Sequence, residues 1–430
     1  MKTCIKAVRA RSVWDSRGRP TVEAEIRLAN GAVGRAIAPS GASTGSGEAL
    51  DKRDGGTRFG GFGVSNAVAM INERVAPALA GLDAAHQGAI DRALEDLDAT
   101  ATFTDLGGNA AIAVSLAAAH AAAAATAQPL WMYLADGAKV CLPVPEIQIY
   151  GGGAHAAGAL DLQDLMIVPY GARSFREALE WAGEVYRAAG VRRAASARLH
   201  GVADEGGYWP DFATNEAALQ AVLDAIEAAG FCPQTEIAIS VDAAASQMFE
   251  DDAYHLRTEG RRLTPQAWAQ QISAWLNSYP IRILEDPFVE HDLESHARLT
   301  AEFGARAQIV GDDLLVSDAA RVRAAAQAGA CNTLLCKPNQ AGTLTRARAA
   351  FDAAIAAGWN TIVSARSGES EDVTIAHLAV GWNARQIKVG SFSRSERMAK
   401  WNELLRIEEA LCHGAAYAGA SIFALRTNAP

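Results

Sequence analysis

The stretch IRILEDPFVE, Ile281–Glu290, runs four mostly apolar residues straight into two carboxylates and a proline. Its length and branched residues read as a buried strand. Burying Ile283 and Leu284 needs no explanation. Ending such a strand on Glu285 and Asp286 does, because an ionised carboxylate in a core is costly unless something pairs with it. The pattern recurs on both sides: DLMIVP (164–169), IAISVD (237–242), QIVGDD (308–313), TLLCKP (333–338), TIVSAR (361–366) and QIKVGS (386–391). Helically spaced segments such as PQAWAQQISAWLNSY (265–279) and TRARAAFDAAIAAG (345–358) separate the runs. Repeated strand-then-helix units imply a parallel sheet, and about eight of them imply a closed α/β barrel. A doubly wound sheet is the rival, but no GxGxxG follows an early strand.

The first part of the chain has another rhythm. TVEAEIRLANGAVGRAIAP (21–39) alternates apolar and polar residues around Asn30-Gly31, a hairpin signal. Pro39–Gly56, rich in Gly and Ser, reads as a long mobile loop. Asn109–Leu134 reads as an Ala-rich buried helix whose last segment opens at Pro129. These elements predict an α+β domain over 1–135 and a barrel over 136–430. The 430 residues, half of them hydrophobic, suit one large domain with a smaller partner. A net charge of −10 without basic runs argues against a nucleic-acid partner. Six cysteines scattered without a CxxC pair suggest a reduced chain. The charged N-terminus is unlike a signal peptide, and no apolar stretch of membrane-spanning length is expected. The cytoplasm is the expected location.

In a parallel barrel the C-terminal strand ends converge on one mouth, where active sites sit. Asp242, Glu285 and Asp312 meet there in this reading, facing Lys337, Arg366 and Lys388. Three carboxylates without Cys or His at ligand spacing favour a hard cation, most simply Mg²⁺. Each acid taken singly could instead cap a helix or make a loop salt bridge. Three in consecutive units weaken that alternative. Asp286 and Asp313 are expected to point elsewhere as structural residues. A lysine at 337 or 388, close to a second cation and a metal, is expected to have a lowered pKa, as a general base requires. Either lysine alone could simply pair with a ring carboxylate.

The segments DSRGRPTVEAE, PSGASTG, GGAHA, DEGG, VDAAAS, LEDP, VGDDLLVS, KPNQAGTLT, RSGESED and IKVGSFSRSERMAKWNELLRIEE occur in this order along nearly the whole chain. In these the chain resembles enolase (phosphopyruvate hydratase). Relatives of muconate or mandelate type carry a KxK pair, which RRAASARL (192–199) lacks. The resemblance implies a modified TIM barrel of enolase type with an N-terminal α+β capping domain, in a homodimer or larger homo-oligomer. It assigns Asp242, Glu285 and Asp312 to a tightly bound Mg²⁺. Lys337 would take the proton α to the substrate carboxylate, and Glu205 would protonate the departing hydroxyl. Lys388 would help hold the doubly charged enediolate, the charge that makes such a proton hard to remove. Arg366 and Ser367 would grip the phosphoryl group. Ser43 would close over it, joining a second Mg²⁺ that arrives with substrate. His155 and Gln163 would line the same pocket. The implied ligand is a small anion bearing phosphoryl and carboxylate groups.

Several positions depart from the family pattern. SHRSGE is SARSGE, placing Ala365 where a histidine stands beside the phosphoryl-binding arginine. QEFMI is QDLMI, so Asp164 replaces the longer glutamate that helps Glu205 with the leaving hydroxyl. NIINGGxHA is QIYGGGAHA, with Tyr150 and Gly151 as newcomers. GDEGGFAP is ADEGGYWP, with Trp209 near the acid, and Gln247 replaces a glutamate. Three readings follow. One is a dehydratase acting on a modified phosphoglycerate, such as carboxyphosphonoglycerate giving carboxyphosphonoenolpyruvate in phosphonate or phosphinate biosynthesis. Its extra carboxylate on phosphorus would use the space beside Ala365. The second is ordinary glycolytic enolase, making phosphoenolpyruvate from 2-phosphoglycerate. The third is a non-catalytic binding protein on the same fold, which predicts losses among Lys337, Glu205 and the metal ligands; none is lost.

Overall fold

The computed structural model describes residues 3–195 and 201–424. The alternating N-terminal segment forms an antiparallel sheet of β1 (Ile5–Trp14), β2 (Pro20–Leu28) and β3 (Val33–Ile37). Asn30 Oδ1 accepts from Ala32 N at 3.0 Å and Gly31 takes φ 91°, closing the hairpin between β2 and β3. Helix Gly108–Ala125 lies against this sheet. Their approach depends on Gly34, where a β-carbon would sit 2.1 Å from Ala121 N.

The single helix expected over Asn109–Leu134 is two helices. The first ends at Ala125, Ala127 turns left-handed at φ 55°, and Leu130–Ala135 resumes behind Pro129. Proline lacks the N–H that would continue the first helix, so the chain restarts there. Contrary to the sequence expectation, Gly108–Ala125 has the length and apolar character to cross a membrane; in this fold it is 83% buried. The cap leads into the barrel through a left-handed turn at Asp136 (φ 47°).

The barrel strands are β4 (Val144–Gly151), β5 (Asp164–Val168), β6 (Ala238–Asp242), β7 (Ile281–Glu285), β8 (Gln308–Gly311), β9 (Thr333–Cys336), β10 (Asn360–Ser364) and β11 (Arg385–Ser391). They close in chain order. Two features differ from a uniform parallel reading. β4 carries Pro145, Glu146 and Gln148 where an apolar run is expected, so its sequence, VPEIQIYG, hides a strand. β5 runs antiparallel to both β4 and β6. The connection Gly152–Gln163 contains only a 3-10 turn, Gly153–Ala156, and no crossover helix, so the chain returns antiparallel. As a result the beginning of β5, not its end, lies at the barrel mouth, with Asp164 paired in register with Asp242 and Gly151.

At the other end, Val144, Val168, Ile283, Val310, Leu335 and Ile362 pack together inside the barrel, with Tyr170 and Ile422 joining them. Buried polar residues tie the interior further, Ser240 Oγ donating to Glu146 at 2.9 Å and Gln308 Nε2 to Gln386 at 2.8 Å. A sealed base and a charged mouth thus share one barrel.

Candidate active site

Each acid of the ring stands where its strand runs out. Asp242 and Glu285 end β6 and β7 and face each other in register; Asp312 follows β8 directly. Lys337 follows β9, Ala365 to Ser367 follow β10, and Lys388 lies within β11. Gln163 and Asp164 open β5, and His155 belongs to the connection before it. Ser43 reaches in from the capping domain: the Pro39–Gly56 segment crosses the mouth, tied by Ser40 N to Gly368 O (2.9 Å) and Ala49 N to Gln340 O (2.8 Å). Ser43, His155, Gln163, Asp164, Glu205 and Asp242 line one cavity together with Lys337, Ala365, Arg366, Ser367 and Lys388. With its ion pairs closed it has room for about one water, some 20 Å³. Glu285 and Asp312 stand directly behind its two lysines.

Lys388 Nζ lies 2.8 Å from Glu285 Oε2, 2.9 Å from Asp242 Oδ2 and 3.5 Å from Asp164 Oδ2. Burial would lower this ammonium's pKa, but Asp242 and Glu285 raise it well above its ordinary value. Lys337 Nζ pairs with Asp312, which also accepts from Gln340 Nε2 at 2.9 Å. Here the expectation of a lowered lysine is not met: burial lowers Lys337, but Asp312 outweighs it and the group sits above its ordinary value. Arg366 and Lys388 both push it downward. Release of Asp312 is therefore what a base at this position requires.

Glu205 stands on a loop pinned from both sides. Its carbonyl accepts from Ser391 N at 2.9 Å, and Gly206 O accepts from Ser393 Oγ at 2.7 Å and Tyr186 OH at 3.0 Å. His155 bridges it to Asp164, with Nδ1 2.8 Å from Asp164 Oδ1 and Nε2 3.7 Å from Glu205 Oε1. Burial opposes the charged imidazole, yet Asp164 and then Glu205 hold its pKa at about 9. Asp164 is kept below the usual carboxylate range: burial raises it, and His155 and Lys388 more than offset that.

Arg366 donates to Glu48 Oε2 at 3.0 Å and to Ser43 O at 2.8 Å, and Glu48 drives its pKa up against the effect of burial. Ser367 Oγ accepts from Arg17 at 3.2 Å. The sequence reading missed Glu48, a single acid behind a Gly-rich loop with nothing in its spacing to mark it. Asp286 is structural as expected, both oxygens accepting backbone N–H groups, from Asp312 (2.9 Å) and Asp313 (2.7 Å). Asp313 does not turn away; its carboxylate gathers with those of Asp286 and Asp312. RRAASARL lies partly outside the described residues.

Among the described residues, two sets of three possible ligands draw within 4.8 Å: His155/Asp164/Glu205 and Asp286/Asp312/Asp313. Asp242, Glu285 and Asp312 are not among these sets. Chemistry nevertheless favours this trio for a divalent cation. The first set contains an imidazole that is cationic at neutral pH, and in the second Asp286 holds the backbone N–H groups of Asp312 and Asp313. Glu285 Oε1, by contrast, is buried with no hydrogen-bond partner. Hard oxygen donors on neighbouring strands, one unsatisfied, fit Mg²⁺.

Comparison with known proteins finds two family matches: "Enolase, N-terminal domain" over residues 5–134, and "Enolase, C-terminal TIM barrel domain" over 139–426.

Proposed function

The chain belongs to the enolase family and is a lyase of that family; from this premise we propose that it dehydrates a modified 2-phosphoglycerate, with carboxyphosphonoglycerate giving carboxyphosphonoenolpyruvate as the favoured reaction. The observation that carries this reading is Ala365. Its methyl group lies on the cavity wall between Arg366 and Ser364, its N–H spent on Lys388 O at 2.8 Å. At this position the wall beside the phosphoryl-facing guanidinium presents a methyl group where an imidazole would stand, which suits an extra substituent on phosphorus. The reacting carbons keep their places between Lys337 and Glu205.

A magnesium ion held by Asp242, Glu285 and Asp312, joined by a second at Ser43, would supply positive charge against the substrate's carboxylate and phosphoryl oxygens. Lys337 Nζ, freed from Asp312, removes the proton α to the carboxylate. Lys388 holds the negative charge that this step places on the carboxylate. Glu205 delivers a proton to the hydroxyl on the next carbon, which departs as water and leaves the enolpyruvate. His155 and Asp164 fix Glu205, Gln163 holds Asp242 through Nε2 at 2.9 Å, and Arg366 with Ser367 receive the phosphorus end.

Unmodified 2-phosphoglycerate is the second reading, supported by the same complete set of acid, base and carboxylates. Purified protein with Mg²⁺ and either substrate, followed by the ultraviolet absorbance of the enolpyruvate, decides between them. Absence of turnover with both would favour the binding-protein reading.

We also infer a homo-oligomer. Trp14 (57% exposed), Phe59 (44%) and Phe62 (36%) lie on the capping domain, Trp14 edge-on to Phe59 at 5.4 Å. Such exposed aromatic surface suits a protein interface. A cytoplasmic location is proposed on the scattered cysteines alone.

A further inference from the structure

We propose that Gln148 is a positioning residue that sets the placement of Asp164 relative to the loop carrying Glu205. Its side chain points into the barrel from β4 and is fully buried. Nε2 donates to Asp164 Oδ1, while Oε1 accepts from Gly207 N at 2.8 Å, two residues beyond Glu205. Asp164 Oδ1 also meets His155 Nδ1, and His155 Nε2 faces Glu205. Glu205, His155, Asp164, Gln148 and Gly207 thus form a closed circuit of polar contacts that returns to its starting loop. One amide holds two of its joints, so a change in its reach alters the acid and its neighbour together.

Space around this amide is made by glycine. A β-carbon on Gly207 would lie 2.5 Å from Gln148 Oε1, and one on Gly151 would lie 3.0 Å from Gln148 Nε2 and 2.7 Å from Ala203 Cβ. Gly151 pairs directly with Asp164 across the two strands. The sequence departures take on a physical connection here. Where QIYGGGAHA stands against NIINGGxHA and QDLMI against QEFMI, position 148 is one methylene longer and position 164 one methylene shorter. Position 151 between them has lost its side chain. The three residues touch or pair with one another, so the changes are one exchange of length across a single contact. At this contact the longer amide meets the shorter carboxylate.

This inference rests on the reading of Glu205 as the acid that Asp164 supports, but its test does not need turnover. His155 reports on the circuit, and its imidazole can be titrated by ¹⁵N NMR in the full-length protein. Gln148→Asn and Asp164→Glu, each alone, are expected to lower the His155 pKa by about one unit as the Asp164 contact loosens. The double variant is expected to return towards the wild-type value. If either substrate is turned over, kcat should fall about tenfold in each single variant and recover in the double. Unchanged His155 titration in both single variants, or a double variant no closer to wild type than the worse single, overturns the proposal. Should Gln148→Asn fail to fold, Asp164→Glu alone decides: an unchanged His155 titration in it overturns the proposal. Failure of turnover with both substrates would count against the proposed reaction and leave the His155 result to decide this point.

Discussion

Lys388 Nζ lies 2.8 Å from Glu285 Oε2, on the strand directly across the mouth's acidic side. This contact is why an apolar strand can end on a buried glutamate: the carboxylate faces an ammonium on one oxygen and has an unsatisfied oxygen on the other. Removing the ammonium leaves Asp242 and Glu285 as uncompensated buried acids. Lys388→Met is therefore expected to destabilise the metal-free protein by about 3 kcal/mol, the usual cost of breaking a buried pair. Mg²⁺ should raise the variant's Tm more than the wild type's, because the ion restores the missing charge. Calorimetry with and without Mg²⁺ checks both; an equal shift in the two proteins would place the ion elsewhere.

The roles proposed for Lys337 and Glu205 separate by isotope. Lys337→Ala should lose both dehydration and exchange of the substrate's α proton in D₂O. Glu205→Gln should lose dehydration by about 10²- to 10⁴-fold while keeping exchange, since only the second proton transfer is removed. Loss of exchange in Glu205→Gln would mean that this residue takes part in proton removal.

His155 gives a pH dependence of defined sign. Its pKa is raised from 6.5 to about 9 by Asp164 and Glu205, so the charged imidazole stabilises the fold fully below pH 6.5. That contribution, at most on the order of 3 kcal/mol, is lost as pH rises through 9. Urea denaturation of the wild type from pH 6 to 10 should show this decline, and His155→Gln should flatten it. A parallel decline in the variant would assign the effect to another group.

If the exposed aromatic face of the cap joins two copies, Trp14→Glu should shift the protein from dimer to monomer by sedimentation, weakening association at least about tenfold. A monomeric wild type, or an unchanged dimer in the variant, contradicts that interface.

Much of this was legible before the structure, because the strand ends combine a strong apolar run with charge: IAISVD, IRILED and TLLCKP announce both a strand and a charged residue at the barrel mouth. VPEIQIYG was not legible as a strand, since its inward positions are polar and pair with residues far away in sequence. Nor was the antiparallel direction of β5, which depends on a connection too short for a helix rather than on the strand itself. Glu48 escaped because its partner, Arg366, lies more than 300 positions away and only folding brings them together. For Lys337 the sequence left two outcomes open, a lowered pKa or pairing with a ring carboxylate, and the structure selects the second, with Asp312 as the partner.

The central claim is the altered substrate, and its direct test is kcat/KM for 2-phosphoglycerate and for carboxyphosphonoglycerate, in the wild type and in Ala365→His, at saturating Mg²⁺. The account predicts at least about a tenfold preference of the wild type for the carboxyphosphono compound, lost or reversed when the histidine fills the space beside Arg366. A wild type that turns over 2-phosphoglycerate equally well, with no change of preference in Ala365→His, would contradict it.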